Sequence, residues 1–490
     1  MNKMKITALI MGALVLGLLV SKAGLLPLVA VITAVVAVAV LFLDYEKATL
    51  IVALYTVFEF LLRTVLARPL SQILSLFGRR AYFEFVTGSS PMILSSYWDE
   101  LALLLCFGIW FYKWLRYHKE KPYRATPLDI SIILFMLLGV ILLFAAAPDF
   151  LIGVEGLRVV IQYMLWFFVV TQLLRTPEGA KRILNIVLLT GFLISLHGIY
   201  QYIIAVDIPA GWLDEMEGTV RTRVFSIFTS CNMMAGFLAT LIPISVGLFF
   251  AEKNRTRKIY YGIAFCTMWL SLLFTMSRAG WVFCFAALVV FVWLKNKKMV
   301  LPALLAMAAL FIFAIIFVPS VANRILYVIS PQYVVSSMSG GRFFRAAESF
   351  PLFIDNIWTG MGLGQFGGSV AISHKLNDTF SMDNYYLKTA VEMGIFGIAA
   401  FMILMYNTFT WCSRAISKIR DKEQKDWVRG IVSSIVVVIL YNLTENMLEI
   451  PLIASYFWMF AGIVMFLAYG SKRLEREAPQ DSATLTEETG

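Results

Sequence analysis

The sequence predicts an all-α, polytopic membrane protein, and three observations carry that expectation. Of its 490 residues, 60% are hydrophobic and only 15% charged, with a mean hydropathy of +0.79, against roughly 45–50% apolar and 25% charged in soluble domains. The apolar residues gather in nearly continuous runs of about 17 to 24, long enough for a helix to cross a bilayer and too long for barrel strands, which alternate over about ten residues. Basic residues fall in alternate short loops, as the positive-inside rule requires of a polytopic chain. Composition therefore excludes a soluble enzyme, a disordered scaffold and a disulfide-stapled secreted module, because so much apolar surface has only lipid or other helices to cover it.

Runs of about 20 apolar residues bounded by charge give about fourteen spans, or twelve if one pair in the first half is lost. Their approximate limits are 6 to 21, 25 to 43, 48 to 66, 98 to 115, 128 to 146, 156 to 174, 183 to 205, 231 to 251, 258 to 276, 279 to 294, 299 to 318, 385 to 410, 428 to 446 and 453 to 469. Lys3 and Lys5 precede the first span, and no small-residue cleavage site follows it, so it reads as a retained anchor. Clusters such as Lys253, Arg255, Arg257 and Lys258, or Arg414, Lys418, Arg420, Lys422 and Lys425, mark cytoplasmic loops. Both termini are then expected in the cytoplasm of a multi-pass plasma-membrane protein.

The same arrangement explains the net charge of +10 without nucleic acid, since no basic, aromatic-interleaved surface domain exists to hold a polynucleotide. The five cysteines lie in or beside apolar segments with no CxxC spacing, so neither a metal site nor a disulfide framework is expected. No cofactor motif stands out either. Gly362, Gly364 and Gly367 match GxGxxG, but no strand precedes them, so the dinucleotide reading fails its context test and a turn is expected, with amide donors for a phosphate as a further option.

Five regions follow: N-terminal spans over 1–205, spans with arginine-bearing outer loops over 206–318, a large extracytoplasmic loop over 319–384, C-terminal spans over 385–470, and a polar, acidic tail over 471–490. The long loop holds Phe343, Phe344, Phe350, Phe353 and Trp358, too many apolar residues for a solvated linker. It is expected to pack on the outer face as short helices, the clearest running from Arg342 to Ile357.

Charge beside a span is costly, about +2.5 to +3.5 kcal/mol for a central arginine on insertion scales, and therefore marks candidates for function. Arg221, Arg223, Arg278 and Arg342 stand on the expected outer side. Each is either an interfacial anchor, or one of a set of planar forks suited to a diphosphate. Asp383 and Asn384 stand at the start of the span from 385, where they either cap the helix or, in the case of Asp383, accept a proton from a hydroxyl attacking a sugar carbon. His374, in the same loop, is the one histidine expected outside.

Four patches together resemble the O-antigen ligase and polysaccharide polymerase superfamily of bacterial envelopes. RVFSIFTSCNMMA (Arg223 to Ala235, with Asn232) resembles its arginine-to-asparagine stretch; FTMSRAGW, containing Arg278, resembles its Ser-Arg-Gly/Ala motif. GRFFRAAESFPLFIDNIWTGMGLGQF resembles its loop helix and glycine turn, and DNYYLKTAVEMGIFG resembles the motif that begins with His or Asp followed by Asn. The resemblance implies a metal-independent, inverting glycosyltransferase acting outside the membrane on undecaprenyl-diphosphate-linked glycans, both donor and acceptor. Arg223 and Arg278 would bind the donor diphosphate, and Asp383 would stand near the acceptor hydroxyl. Ligases of the family typically have His where this chain has Asp383, which points to a polymerase of O-antigen, capsule or teichuronic acid, working with a flippase and a chain-length regulator. The alternatives are ligase-like transfer to another acceptor, or a transporter or flippase of lipid-linked sugars, although the paired broken helices of alternating-access folds are not evident.

Overall fold

The computed structural model describes residues 123–208, 222–228, 230–317, 319–376 and 379–470, with a few more positions between 103 and 115. The spans expected at 6 to 21, 25 to 43 and 48 to 66, more than half of the one at 98 to 115, Arg221 and the tail lie outside the described residues. The chain divides into two units, 1–123 with 172–183 and 124–171 with 184–490. The second holds every described site residue.

Among the described residues every regular element is helical. The helices are α1 (Asp129–Ala146), α2 (Phe150–Ile161), α3 (Leu165–Leu173), α4 (Pro177–Ile203), α5 (Cys231–Ala251), α6 (Arg255–Phe274), α7 (Arg278–Lys295) and α8 (Val300–Phe317). In the long loop come α9 (Pro319–Ile329), α10 (Pro331–Met338), α11 (Arg342–Asp355) and α12 (Ser369–Ser373), followed by α13 (Tyr385–Lys418), α14 (Lys422–Tyr441) and α15 (Pro451–Met465). Eight of the described helical segments are long and apolar enough to cross a membrane, so this is a membrane protein, while the expected count of about fourteen rests partly on undescribed residues. Two further 20-residue helices, α6 and α14, stand where the sequence places spans. Their first turns carry Arg255, Arg257 and Lys258, or Lys422, Glu423 and Lys425, which lowers their mean hydropathy.

Local chemistry sets many of the boundaries. Asp149, Ser230, Asn254, Asn384 and Asp421 each accept a hydrogen bond from an amide in the helix that follows, a cap worth about 1 kcal/mol apiece. Burial then follows apolar content. Helix α15 is apolar all round and almost entirely buried at the centre of the unit. Helix α8 is equally apolar, yet Leu301, Leu305, Ile312 and Ile316 are exposed, a surface suited to lipid.

Lipid is as apolar as leucine, so helices associate in it through close packing. Helices α5 and α14 meet through a pair of glycines. A Cβ on Gly247 would lie 2.6 Å from the Asp426 carbonyl oxygen, and one on Gly430 would lie 2.7 Å from that of Pro243. Only glycine lets these backbones come so close.

A second glycine feature shapes the approach to α13. Gly394 has φ +63°, which interrupts the helix and releases carbonyls of the preceding turn. The chain after α11 occupies the break: Met361 N donates to Val391 O (2.8 Å), Gly362 N to Glu392 O (3.1 Å), and Ile395 N to Ile357 O (2.7 Å). The glycine-rich segment is thus a turn docked on a broken helix. Its amides are engaged by the protein, Phe366 N on Glu392 Oε1, Gly367 N on Thr379 Oγ1 and Ser369 N on Glu449 Oε2. The amides of Gly362 and Gly367 are therefore occupied by the protein and do not serve as phosphate donors here.

Beneath that turn Lys388 stands between Glu392 and Glu449. Its Nζ donates to Glu392 Oε2 and is 2.8 Å from Glu449 Oε1, with side chains 5%, 2% and 8% exposed. Because each carboxylate also accepts one of the turn amides, a single lysine ties α13, the turn and the segment before α15 together.

Candidate active site

The site is assembled where α5, α7 and α13 begin and α14 ends. Residues 222–228 run beside the end of α6, with Val224 N donating to Phe274 O at 3.1 Å. Gln201 Oε1 accepts from Phe225 N and Ser226 N, and His197 Nδ1 lies 2.8 Å from Ser226 Oγ. His197 is therefore a strut of this loop.

The loop delivers Arg223, only 4% exposed, into the protein. Its Nε donates to Thr275 O (3.3 Å) and its Nη2 to Asn232 Oδ1 (3.3 Å). Arg278, three residues beyond Thr275, donates through Nη1 to Arg324 O (3.4 Å) and lies 5.0 Å above the Tyr333 ring. The buried Arg324 of α9 donates in turn from Nε to Met276 O (3.1 Å). Arg223 and Arg324 thus donate to carbonyls of the turn 275–278, and Arg278, the last residue of that turn, reaches back to Arg324.

Tyr441 fixes the framework. Its hydroxyl donates to Asn232 O (3.1 Å) and lies 2.9 Å from Ser277 Oγ, joining the end of α14 to the starts of α5 and α7. The start of α13 joins through Tyr385 N to Asn442 O (2.8 Å). Three helix N-termini therefore face one place, each adding about half a positive charge to it.

On the other side α11 carries Arg342 and Arg345, three residues apart and hence on one face. Ala346 and Phe353 pack that helix against Phe366, Met382 and Val391. Arg345 Nη1 donates to Asp383 Oδ2 (3.0 Å) and to Ser381 O (3.2 Å), while Arg342 Nε stands 3.6 Å from the same Oδ2 and its Nη2 3.9 Å from Glu445 Oε1. Capping and chemistry, both open for Asp383 in the sequence, separate here. The cap of α13 is Asn384, whose Oδ1 accepts from Tyr386 N and Leu387 N, and the Asp383 carboxylate goes to the arginines instead. His374 is engaged elsewhere, with Nε2 2.9 Å from Glu155 Oε2 in α2. The contacts described around Asp383 do not include it.

Glu445 completes the cluster. It lies beyond the end of α14, where its amide donates to Tyr441 O, and its Oε1 accepts from Asn232 Nδ2 at 2.8 Å. Asn232 therefore bridges Arg223 and Glu445. Burial, helped by the neighbouring Asp383 and opposed by Arg342, pushes the Glu445 carboxyl up to about 7.

Residues 263–402 match the family model described as O-antigen ligase. Over that segment the chain is similar to this family. No curated protein matches the chain. The O-antigen ligase segment includes Arg278, Arg324, Arg342, Arg345, Asp383 and Asn384 but stops short of Glu445, and Arg223 and Asn232 precede it. Arg324, Arg345 and Glu445 went unselected in the sequence. Only Arg345 had a local signal, its i+3 spacing from Arg342.

Proposed function

We propose that the protein polymerises lipid-diphosphate-linked oligosaccharide repeat units of an envelope polysaccharide, by metal-independent, inverting glycosyl transfer on the outer side of the membrane. The observation that carries this reading is the gathering of Arg223 and Arg324 on the turn 275–278 with Arg278 at its end, with three helix N-termini beside them and two carboxylates across from them. Breaking the bond between the anomeric carbon and the diphosphate puts charge on the leaving group. Guanidinium forks and helix N-termini stabilise that charge where it develops, an electrostatic contribution that is usually the largest in such catalysis. The exposed Leu326, Val335, Phe343 and Phe344 on α9 to α11, the run of helices that carries Arg324, Arg342 and Arg345, suit lipid-anchored substrates, whose positioning replaces a bimolecular encounter.

Asp383, in the position where ligases of the family typically have histidine, favours polymerase over ligase. Undecaprenyl diphosphate is the proposed carrier, O-antigen, capsule and teichuronic acid are the product classes, and a flippase and a chain-length regulator are the expected partners. About fourteen spans with both termini in the cytoplasm complete the reading. Glycan analysis of a deletion strain tests it: single repeat units held on lipid mean polymerase, full-length chains left on lipid mean ligase, and loss of lipid-linked units outside means flippase.

A further inference from the structure

We propose that Glu445, and not Asp383, takes the proton from the attacking acceptor hydroxyl, an assignment that rests on the glycosyl-transfer reading above. The two carboxylates differ in what holds them. Asp383 Oδ2 is gripped by Arg345 at 3.0 Å and faced by Arg342 at 3.6 Å, so its role is to hold the two guanidiniums of α11 over the site. Glu445 receives its hydrogen bond from a neutral amide, Asn232 Nδ2, and its closest guanidinium, Arg342 Nη2, is 3.9 Å away. Both of those contacts fall on Oε1. Among the described residues no hydrogen bond or ion pair falls on Oε2.

The groups that act on Glu445 come from each element around it: Asp383 before α13, Arg342 of α11, Asn232 of α5 and Arg223 of the loop ahead of it. Glu445 in turn acts on Tyr441 of α14 and on Cys231, which also lies within the electrostatic reach of Arg223 and Arg324. Glu445 thus touches the cluster that contains the diphosphate-type arginines, as a base next to the reacting carbon must. A general base works best when it titrates near the working pH, and burial has moved Glu445 into that range.

The step balances without a co-reactant. The acceptor oxygen forms a bond to the anomeric carbon, the bond from that carbon to the diphosphate oxygen breaks, and the electron pair departs on the diphosphate. The hydroxyl proton moves to the Glu445 carboxylate and is then lost to water.

The test uses the full-length protein in proteoliposomes, with lipid-linked repeat units extracted from a strain lacking this chain as the probe. Glu445→Gln keeps an oxygen for Asn232 to donate to and removes the base. Its transfer rate should fall by about 10² to 10⁴ while binding of the lipid-linked units is retained. The wild-type rate should drop as pH falls through about 7, since a protonated carboxyl cannot accept the proton. Glu445→Asp should keep part of the rate with a shifted acid midpoint, and Asp383→Asn, which removes the neighbouring charge that helps raise Glu445, should move the acid midpoint down without abolishing the limb. A Glu445→Gln protein with wild-type rate and an intact acid limb overturns the assignment. If that variant fails to accumulate, an unmoved midpoint in Glu445→Asp overturns it equally. A wild-type protein that binds the units but transfers none overturns the underlying function instead.

Discussion

Replacing Lys388 by methionine should be among the most damaging single changes in the protein. The lysine is the cation between Glu392 and Glu449 in a site where the three side chains are 5%, 2% and 8% exposed, and its Nζ lies 2.8 Å from Glu449. Without it, two carboxylates remain with one backbone amide each, from Phe366 and Ser369. Removing one partner of a buried pair costs about 3–5 kcal/mol. Here two partners lose the same lysine, so the loss belongs at the upper end of that range, a large share of the roughly 5–15 kcal/mol that holds a typical protein folded. The midpoint of thermal unfolding in detergent should fall by several degrees, on the order of 5 °C. Labelling of the buried Cys284 and Cys412 by a thiol dye reports the transition, after the exposed Cys266 has been replaced by serine. Converting Glu392 and Glu449 to glutamine in the same protein should recover most of the loss, because the charges then leave together. A Lys388→Met protein that melts within about 1 °C of wild type would refute the claim that this lysine holds the two carboxylates.

Other perturbations separate the remaining roles. Arg223→Lys and Arg278→Lys keep charge but lose the planar fork, and both should lose most transfer while inserting normally; wild-type rates in both would make the arginines anchors. Gly394→Ala would place a Cβ 2.4 Å from the Trp358 carbonyl oxygen at φ +63°, costing about 1–3 kcal/mol from backbone strain alone, and an unchanged melting midpoint would contradict the break in α13. In a cysteine-free background, an impermeant thiol reagent applied to intact cells should label Lys375→Cys and spare Lys422→Cys; the reverse pattern would invert the proposed orientation.

The sequence carries the spans well because each is a local property. The run expected at 231 to 251 coincides with α5 at both ends, since Ser230 caps one end and Glu252 begins the charged loop at the other. Side-chain assignments fared less evenly. Asp383 and Asn384 look interchangeable as caps, and only the position of α11 shows that one caps while the other pairs with arginine. Glu445 was absorbed into a span expected to run to residue 446, whereas the helix ends at Tyr441. Its partner Asn232 is 213 residues away in the chain, a separation that no spacing rule in one sequence can bridge. Arg324 reads as an ordinary polar position of an amphipathic helix until Met276 O is seen beneath it.

The glycine contact between α5 and α14 reaches further than the packing of two helices. Asn232 stands 15 residues above Gly247, about 22 Å along the axis of α5, while α14 runs 11 residues past Gly430, about 16 Å, to Tyr441, and Glu445 lies in the turn that follows. The two helices behave as the arms of a pair of callipers, crossing near the charged loop that follows α5 and closing at their opposite ends on the hydrogen bond from Asn232 to Glu445. Backbone pressed against backbone has no side chain that can yield, so the crossing point sets the gap at the tips. A leucine at Gly247 would part those tips without touching any residue of the site.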